Sequence, residues 1–239
     1  MRRTSIIVLL LSLFIASSAY AGFLDKVREY REKERQSRNE PDTDTIVSGL
    51  KEALSIGAKN GVKTVSQVDG YFGNPHIRIP MPENIQRIEK ALRKAGFNKE
   101  VDRFVLSMNR AAEKAAPQAL ALFVNAVKEM TIPDAVGILR GNDTAATDYL
   151  KSKTFDELYR SFKPSISSSM NDVGVTRTFK EMMDKTRRIP FLKKESVDLD
   201  DYVTSKALDG LFTVVGQEEK KIRKDPAARV TELLKTVFK

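Results

Sequence analysis

The sequence predicts an all-α fold: one multi-helix globular domain with one extended proline-rich strap. Three observations carry this. The apolar residues are chiefly Ala, Leu, Val and Ile, with 12 glycines and no tryptophan in 239 residues, a bias that suits packed helices. They recur at steps of three or four along most of the chain. No stretch shows sustained strand alternation between hairpin turns, and there is no internal repeat. With 41% hydrophobic and 31% charged residues, the balance is that of a folding chain rather than a disordered one.

Arg2 and Arg3 precede a short apolar run over residues 6–15, and Ala19-Tyr20-Ala21 closes it with small residues in an A-x-A pattern. This predicts a secretory signal peptide, 1–21, cleaved after Ala21, and therefore a periplasmic protein. The run falls short of the roughly 20 residues a spanning helix needs. With no cysteine, no lipid anchor can form at the new N-terminus. Residues 22–41 follow as a basic arm and linker, with Phe23, Leu24, Val27 and Tyr30 along a brief apolar edge and Asn39-Glu40-Pro41 at its end. A helical arm and a partly disordered spacer are equally compatible with so few apolar positions.

The helical domain is expected over 42–239. Ile46, Leu50, Leu54, Ala58, Val62, Val65 and Val68 mark the first helix, capped by Thr43 or Asp44 and closed at Asp69-Gly70. Three prolines between Gly73 and Pro82 forbid a helix there and predict the extended strap. Residues 83–95 read as a short helix ended by Gly96. Residues 99–130 read as a long central one, bent or broken at Pro117. Its apolar arc is wide: Val101, Phe104, Met108, Ala111, Ala112, Ala115, Ala119, Leu122, Ala126 and Met130, with Leu106, Ala116, Leu120, Val124 and Val127 beside them. Thr131 with Pro133 opens the next helix, stopped at Gly141, and Asn142 or Asp143 opens another. Thr154-Phe155-Asp156-Glu157 reads as a capping box that starts a separate helix, kinked at Pro164 and ended at Gly174. Thr204, Leu208, Leu211, Val215 and Ile222 define a helix between Leu199 and Lys224. Asp225-Pro226 starts the last, with Val230, Leu233, Leu234 and Val237 inward.

Composition narrows the chemistry. Without cysteine there is no disulfide framework, thiolate nucleophile or Cys-based metal site. The one histidine, His76, has no partner at triad or metal-site spacing and reads as a loop residue, so no metal and no cofactor is expected. The formal charge of +9 falls by two when Arg2 and Arg3 are removed, and much of the rest is interleaved with acids. That disfavours nucleic acid as a partner and leaves a weak attraction to an anionic membrane surface.

Polar residues that interrupt apolar faces are the candidate site. Asn109 and Glu113 fall four apart inside the second apolar strip, with Arg110 at its edge, and Glu218 and Glu219 flank the inner face of the 199–224 helix. Uncompensated buried charge costs several kcal/mol. Glu113 and Asn109 are therefore expected to meet Glu218 or Glu219 through an arginine, Arg110 or Arg78. The plainer reading is a buried ion pair that fixes helix register.

The strings Asn74-Pro75-His76-Ile77-Arg78-Ile79-Pro80-Met81-Pro82, Ser107-Met108-Asn109-Arg110-Ala111-Ala112-Glu113, Ala145-Ala146-Thr147-Asp148-Tyr149, Tyr202-Val203-Thr204-Ser205-Lys206-Ala207-Leu208-Asp209-Gly210-Leu211-Phe212 and Ile222-Arg223-Lys224-Asp225-Pro226 resemble the Domain of Unknown Function 4197 family of exported proteobacterial proteins. The resemblance implies an exported, all-helical protein and brings no activity or ligand with it. Three functions follow as expectations. The first is a non-enzymatic module holding an apolar or amphipathic small molecule, or a partner helix, near the strap. A carboxylate-dependent hydrolase built on Glu113, Glu218 or Glu219 is the second. The third is a peripheral envelope protein touching anionic lipid.

Overall fold

A computed structural model describes Arg28, residues 43–186 and 197–229, Thr231 and Lys235. The chain divides into two units, Met1–Thr43 and Asp44–Lys239, and the architecture below is that of the second. The predicted signal segment, the rest of the arm and linker, and Val230, Leu233, Leu234 and Val237 lie outside the described residues.

All regular structure among the described residues is helical. Helix α1, Thr43–Val65, buries Leu50, Leu54, Ala58, Val62 and Val65 at helical steps. Gly49, Ala53, Gly57 and Gly61 form a second buried row four residues apart. After α1 the chain turns tightly: Asp69 adopts φ 67°, and at Gly70 a Cβ would stand 2.6 Å from the carbonyl oxygens of Thr64 and Val65. Residues 78–82 carry no regular structure, and Ile77, Ile79 and Met81 are buried while Arg78 and Pro80 are exposed.

Helix α2, Gln86–Lys94, follows a single 3-10 turn at Glu83–Ile85. It ends as a Schellman motif: Gly96 sits at φ 88° and donates to the Arg93 carbonyl, and the Phe97 N–H donates to the Leu92 carbonyl. The predicted long helix is two. Helix α3, Asn98–Ala115, tightens into a 3-10 turn at Ala116–Gln118, and α4, Ala119–Glu129, continues beyond it. Pro117 has no N–H to extend the α ladder, which accounts for the break at this point. Helix α5, Ile132–Arg140, opens on a full capping box between Thr131 and Asp134.

Helix α6, Ala145–Asp172, corrects the reading of Thr154 as a helix start. The Thr154 hydroxyl donates back to the Leu150 carbonyl, and Leu150, Thr154, Leu158, Phe162 and Ile166 are buried in unbroken register. Packing of that face outweighs the local capping pattern. Pro164 lies inside α6 on its exposed side, where water can take the freed carbonyl of Arg160. Gly174, at φ 77°, then turns the chain into α7, Val175–Thr186, an element the sequence pattern had not marked. Helix α8, Leu199–Lys224, is capped by the Asp198 side chain.

Helix α6 packs most extensively on α8 and also meets α3, α4 and α5, while α3 meets α2, α6, α7 and α8. Val101, Phe104, Met108, Ala111, Ala112 and Ala115 of α3 are almost fully buried, and one contiguous core runs from Leu50 to Val215. The alanines keep α3 thin, so helices can close on it from several sides.

Candidate functional site

The predicted polar residues fall into two separate clusters. In the first, Glu113 on α3 is 4% exposed, so its charge must be answered inside the protein. Its Oε1 accepts the N–H groups of Tyr71 and Phe72 at 3.1 and 3.2 Å, and its Oε2 accepts from Arg110 Nη1 at 2.6 Å. Arg110 reaches on to Asp69 through Nη2 at 2.7 Å. One turn earlier on α3, Asn109 Oδ1 accepts the Ile79 N–H at 2.8 Å, and its Nδ2 donates to the carbonyls of Ile79 and Val105. Two adjacent side chains of one helix thus hold both ends of the 71–79 segment.

Tyr71 completes the arrangement. Its hydroxyl donates to the Ala207 carbonyl at 2.6 Å, and its ring lies against Gly210, where a Cβ would come within 2.7 Å of Tyr71 Cε1. Burial, and then the charge of Glu113, push the phenol well above its ordinary range. Arg78 stands apart from the carboxylate cluster, with its guanidinium carbon 4.2 Å from the centroid of the Phe72 ring.

Glu219 forms the second cluster, at the opening of α6. Its Oε1 accepts the Ala146 N–H and Arg223 Nε, at 3.0 and 2.9 Å. Its Oε2 accepts the Thr147 N–H and hydroxyl, both at 2.8 Å. Arg223 Nη2 donates to the Ile138 carbonyl in the last turn of α5. The carboxylate therefore meets the positive end of one helix dipole and the guanidinium the negative end of another. Glu218, its neighbour, turns to Lys221 at the surface and joins neither cluster. Neither Glu218 nor Glu219 joins Glu113 and Asn109, because the first cluster touches α8 at Ala207, about 18 Å along the helix from Glu219 at 1.5 Å per residue, and Glu218 points about 100° away from its neighbour. The sequence signal for the second cluster was the four-residue spacing of Glu219 and Arg223. Nothing periodic pointed to Tyr71 or Asp69, which lie in the turn.

Residues 73–82 line none of four clefts found among the described residues, and the narrowest of these borders the second cluster at Thr147, Glu219 and Arg223. A narrow space of about 20 Å³ separates α1 from α8 near Leu54 and Ile222. A polar cleft of about 320 Å³ lies between α4, α5 and α6, lined by Glu129, Asp134, Tyr149, Lys153 and Glu157. There, Tyr149 is raised by burial and by the charges of Asp134 and Glu129, and Asp134 is lowered by the hydroxyl and N–H of Thr131. Two further clefts lie along α6, one of about 480 Å³ beside Phe155 and Tyr159 and one of about 460 Å³ between α6 and α8 beside Lys151 and Phe212. Among the described residues no three acidic or histidine side chains gather to hold a metal ion. None of the helices among those residues is long and apolar enough to cross a membrane.

Fold and clusters together define an all-α protein whose buried carboxylates fasten backbone and whose open clefts lie on its flanks. The chain belongs to the family described as Protein of unknown function (DUF4197), whose model matches residues 40–239. No curated protein and no solved structure matches it. Segments that carry the family resemblance meet in both clusters: Asn109 with Ile79 in the first, and in the second Ala146 and Thr147 with Arg223 on the Glu219 carboxylate, which itself lies outside those strings.

Proposed function

We propose that the chain is an exported, non-enzymatic binding module of the cell envelope, and that its ligand sits on the flanks of α6 rather than on the buried carboxylates. One observation carries the reading: Glu113 and Glu219 each have both oxygens engaged by backbone N–H groups and an arginine. A carboxylate so engaged has both oxygens turned to fixed donors of the protein, so it is poorly placed to act as acid or base. Export rests on Ala19-Tyr20-Ala21 and the apolar run before it.

Native mass spectrometry of the protein taken from its own periplasm tests this, paired with melting curves. We expect a mature chain starting at Gly22 with a co-purifying species. Glu113→Gln and Glu219→Gln should retain that species while losing about 2–4 kcal/mol of stability, since each leaves an arginine facing an amide. Loss of the species without loss of stability would place the ligand on the carboxylates instead.

The cleft between α4, α5 and α6 favours a second reading, a carboxylate-dependent hydrolase, because Glu129 and Glu157 face one open space. Any hydrolytic turnover that disappears in Glu129→Gln and Glu157→Gln would establish it.

A further inference from the structure

Lys151, Phe155, Tyr159 and Lys163 stand four residues apart along one ridge of α6. The rings of Phe155 and Tyr159 are stacked, 6.4 Å between centroids and 29° between planes, and both are only partly buried. Phe155 also stacks on Phe212 of α8, which packs edge-on against the fully buried Phe123. The platform is therefore anchored in the core and cannot easily fold away. Lys151 Nζ lies 5.7 Å from the centroids of both Phe155 and Phe212, and Lys163 covers Tyr159 at the other end.

Phe155 lines the first of the two outer clefts, and Phe212, on which it stacks, lines the second. Between Thr144 and Arg160 the path along α6 measures about 24 Å at 1.5 Å per residue. Each cleft falls in the size range of small-molecule sites, roughly 300–1,000 Å³. Gly216 lines the valley between α6 and α8 without a side chain.

The lining decides what could lie there. Asp148, Asp156 and Asp209 are matched in number by Lys151, Arg160 and Lys220. An anionic lipid surface would be opposed by the first three and a polycation by the second. A peptide in extended form would look for unpaired backbone groups, which helices do not offer. A neutral sugar chain fits both features. Its ring C–H faces are apolar and can cover the aromatic rings, and its hydroxyls donate and accept, so carboxylates and ammonium groups can both serve it.

Resting on the binding-module reading, we propose that the α6–α8 face binds a neutral oligosaccharide chain, with Phe155 as the stacking platform and Asp209, Gln217 and Lys220 among the hydroxyl partners. Isothermal titration and amide NMR with chitotetraose, cellotetraose and maltotetraose test it, with phosphatidylglycerol and phosphatidylcholine vesicles as separate arms. At least one tetrasaccharide should bind, with shifts confined to residues of α6 and α8. Phe155→Ala should weaken binding at least about tenfold, a change of 1.4 kcal/mol. Since Phe155 also packs on Phe212, Gln217→Arg serves as the second variant: it fills the cleft from an exposed position and should block the sugar without lowering the melting temperature. No tetrasaccharide binding at millimolar concentration, or binding only to phosphatidylglycerol vesicles, overturns the proposal. A co-purifying non-sugar species with no tetrasaccharide binding would overturn this inference and leave the binding module standing. Absence of both would remove the two together.

Discussion

Two tyrosines tie α8 to the segment between α1 and α2. Tyr71 donates to Ala207, and Tyr202 donates to the Pro80 carbonyl at 3.1 Å. Burial raises both phenols; the charge of Glu113 adds to the effect on Tyr71, and that of Glu83 on Tyr202, which is pushed up to about 12. A folded-state pKa raised above the unfolded value of about 10 contributes stability that is complete below pH ~10 and is lost as pH rises through the folded value. Melting temperature should therefore hold up to about pH 10 and fall above it. Tyr71→Phe should cost about 0.5–1.5 kcal/mol at neutral pH, because the Ala207 carbonyl keeps only its partner within the helix, and should flatten the alkaline decline. Melting both proteins across that range checks it; parallel curves would show that Tyr71 does not titrate with unfolding. At this scale the sequence was partly legible. Asn109 and Glu113 interrupt an apolar strip and are buried, 0% and 4% exposed. Arg110 was read as a partner of Glu113 and is one, but their backbone partners were not legible, since hydrogen bonds to Ile79, Tyr71 and Phe72 span 30 to 42 residues and leave no periodic trace.

Between elements, the approach of α1 to α8 turns on two glycines with different surroundings. A Cβ on Gly61 would stand 2.8 Å from Val215 Cγ2 and 3.3 Å from Val215 Cα, so α8 would have to move. On Gly57 the nearest atom would be Ile222 Cδ1 at 3.7 Å, an ordinary contact. Gly57→Ala should accordingly be neutral or stabilising by up to about 1 kcal/mol through helix propensity. Gly61→Ala should destabilise by about 1–3 kcal/mol. Thermal or urea unfolding of the two variants separates them, and equal shifts would mean that α1 is not seated closely on α8. Most helix ends were readable because Gly96, Gly141, Gly174 and the Thr131–Asp134 pair act locally. The box at Thr154 misled because capping is a local preference of about 1 kcal/mol. A buried face running from Leu150 to Ile166 outweighs it.

For the whole molecule, helical class followed from composition and period, since every described helix carries a recurring apolar face. The convergence of α3 with α2, α6, α7 and α8 was only partly visible. A wide apolar arc says that a helix is covered on several sides, but not by which neighbours. The flank clefts were not visible at all, because they arise where side chains of α6 and α8 fail to fill a valley. A last consequence concerns residues 71–79, which belong to no α-helix yet have the amides of Tyr71, Phe72 and Ile79 bonded to side chains of a central one. Loop amides ordinarily exchange their hydrogens with solvent through small local openings. Releasing these three requires drawing Glu113 or Asn109 out of α3's packed face, which amounts to opening the domain. In deuterated water, Tyr71, Phe72 and Ile79 should retain their protons as long as the slowest amides of α3, and Asn109→Ala should let Ile79 go early while Tyr71 and Phe72 stay slow.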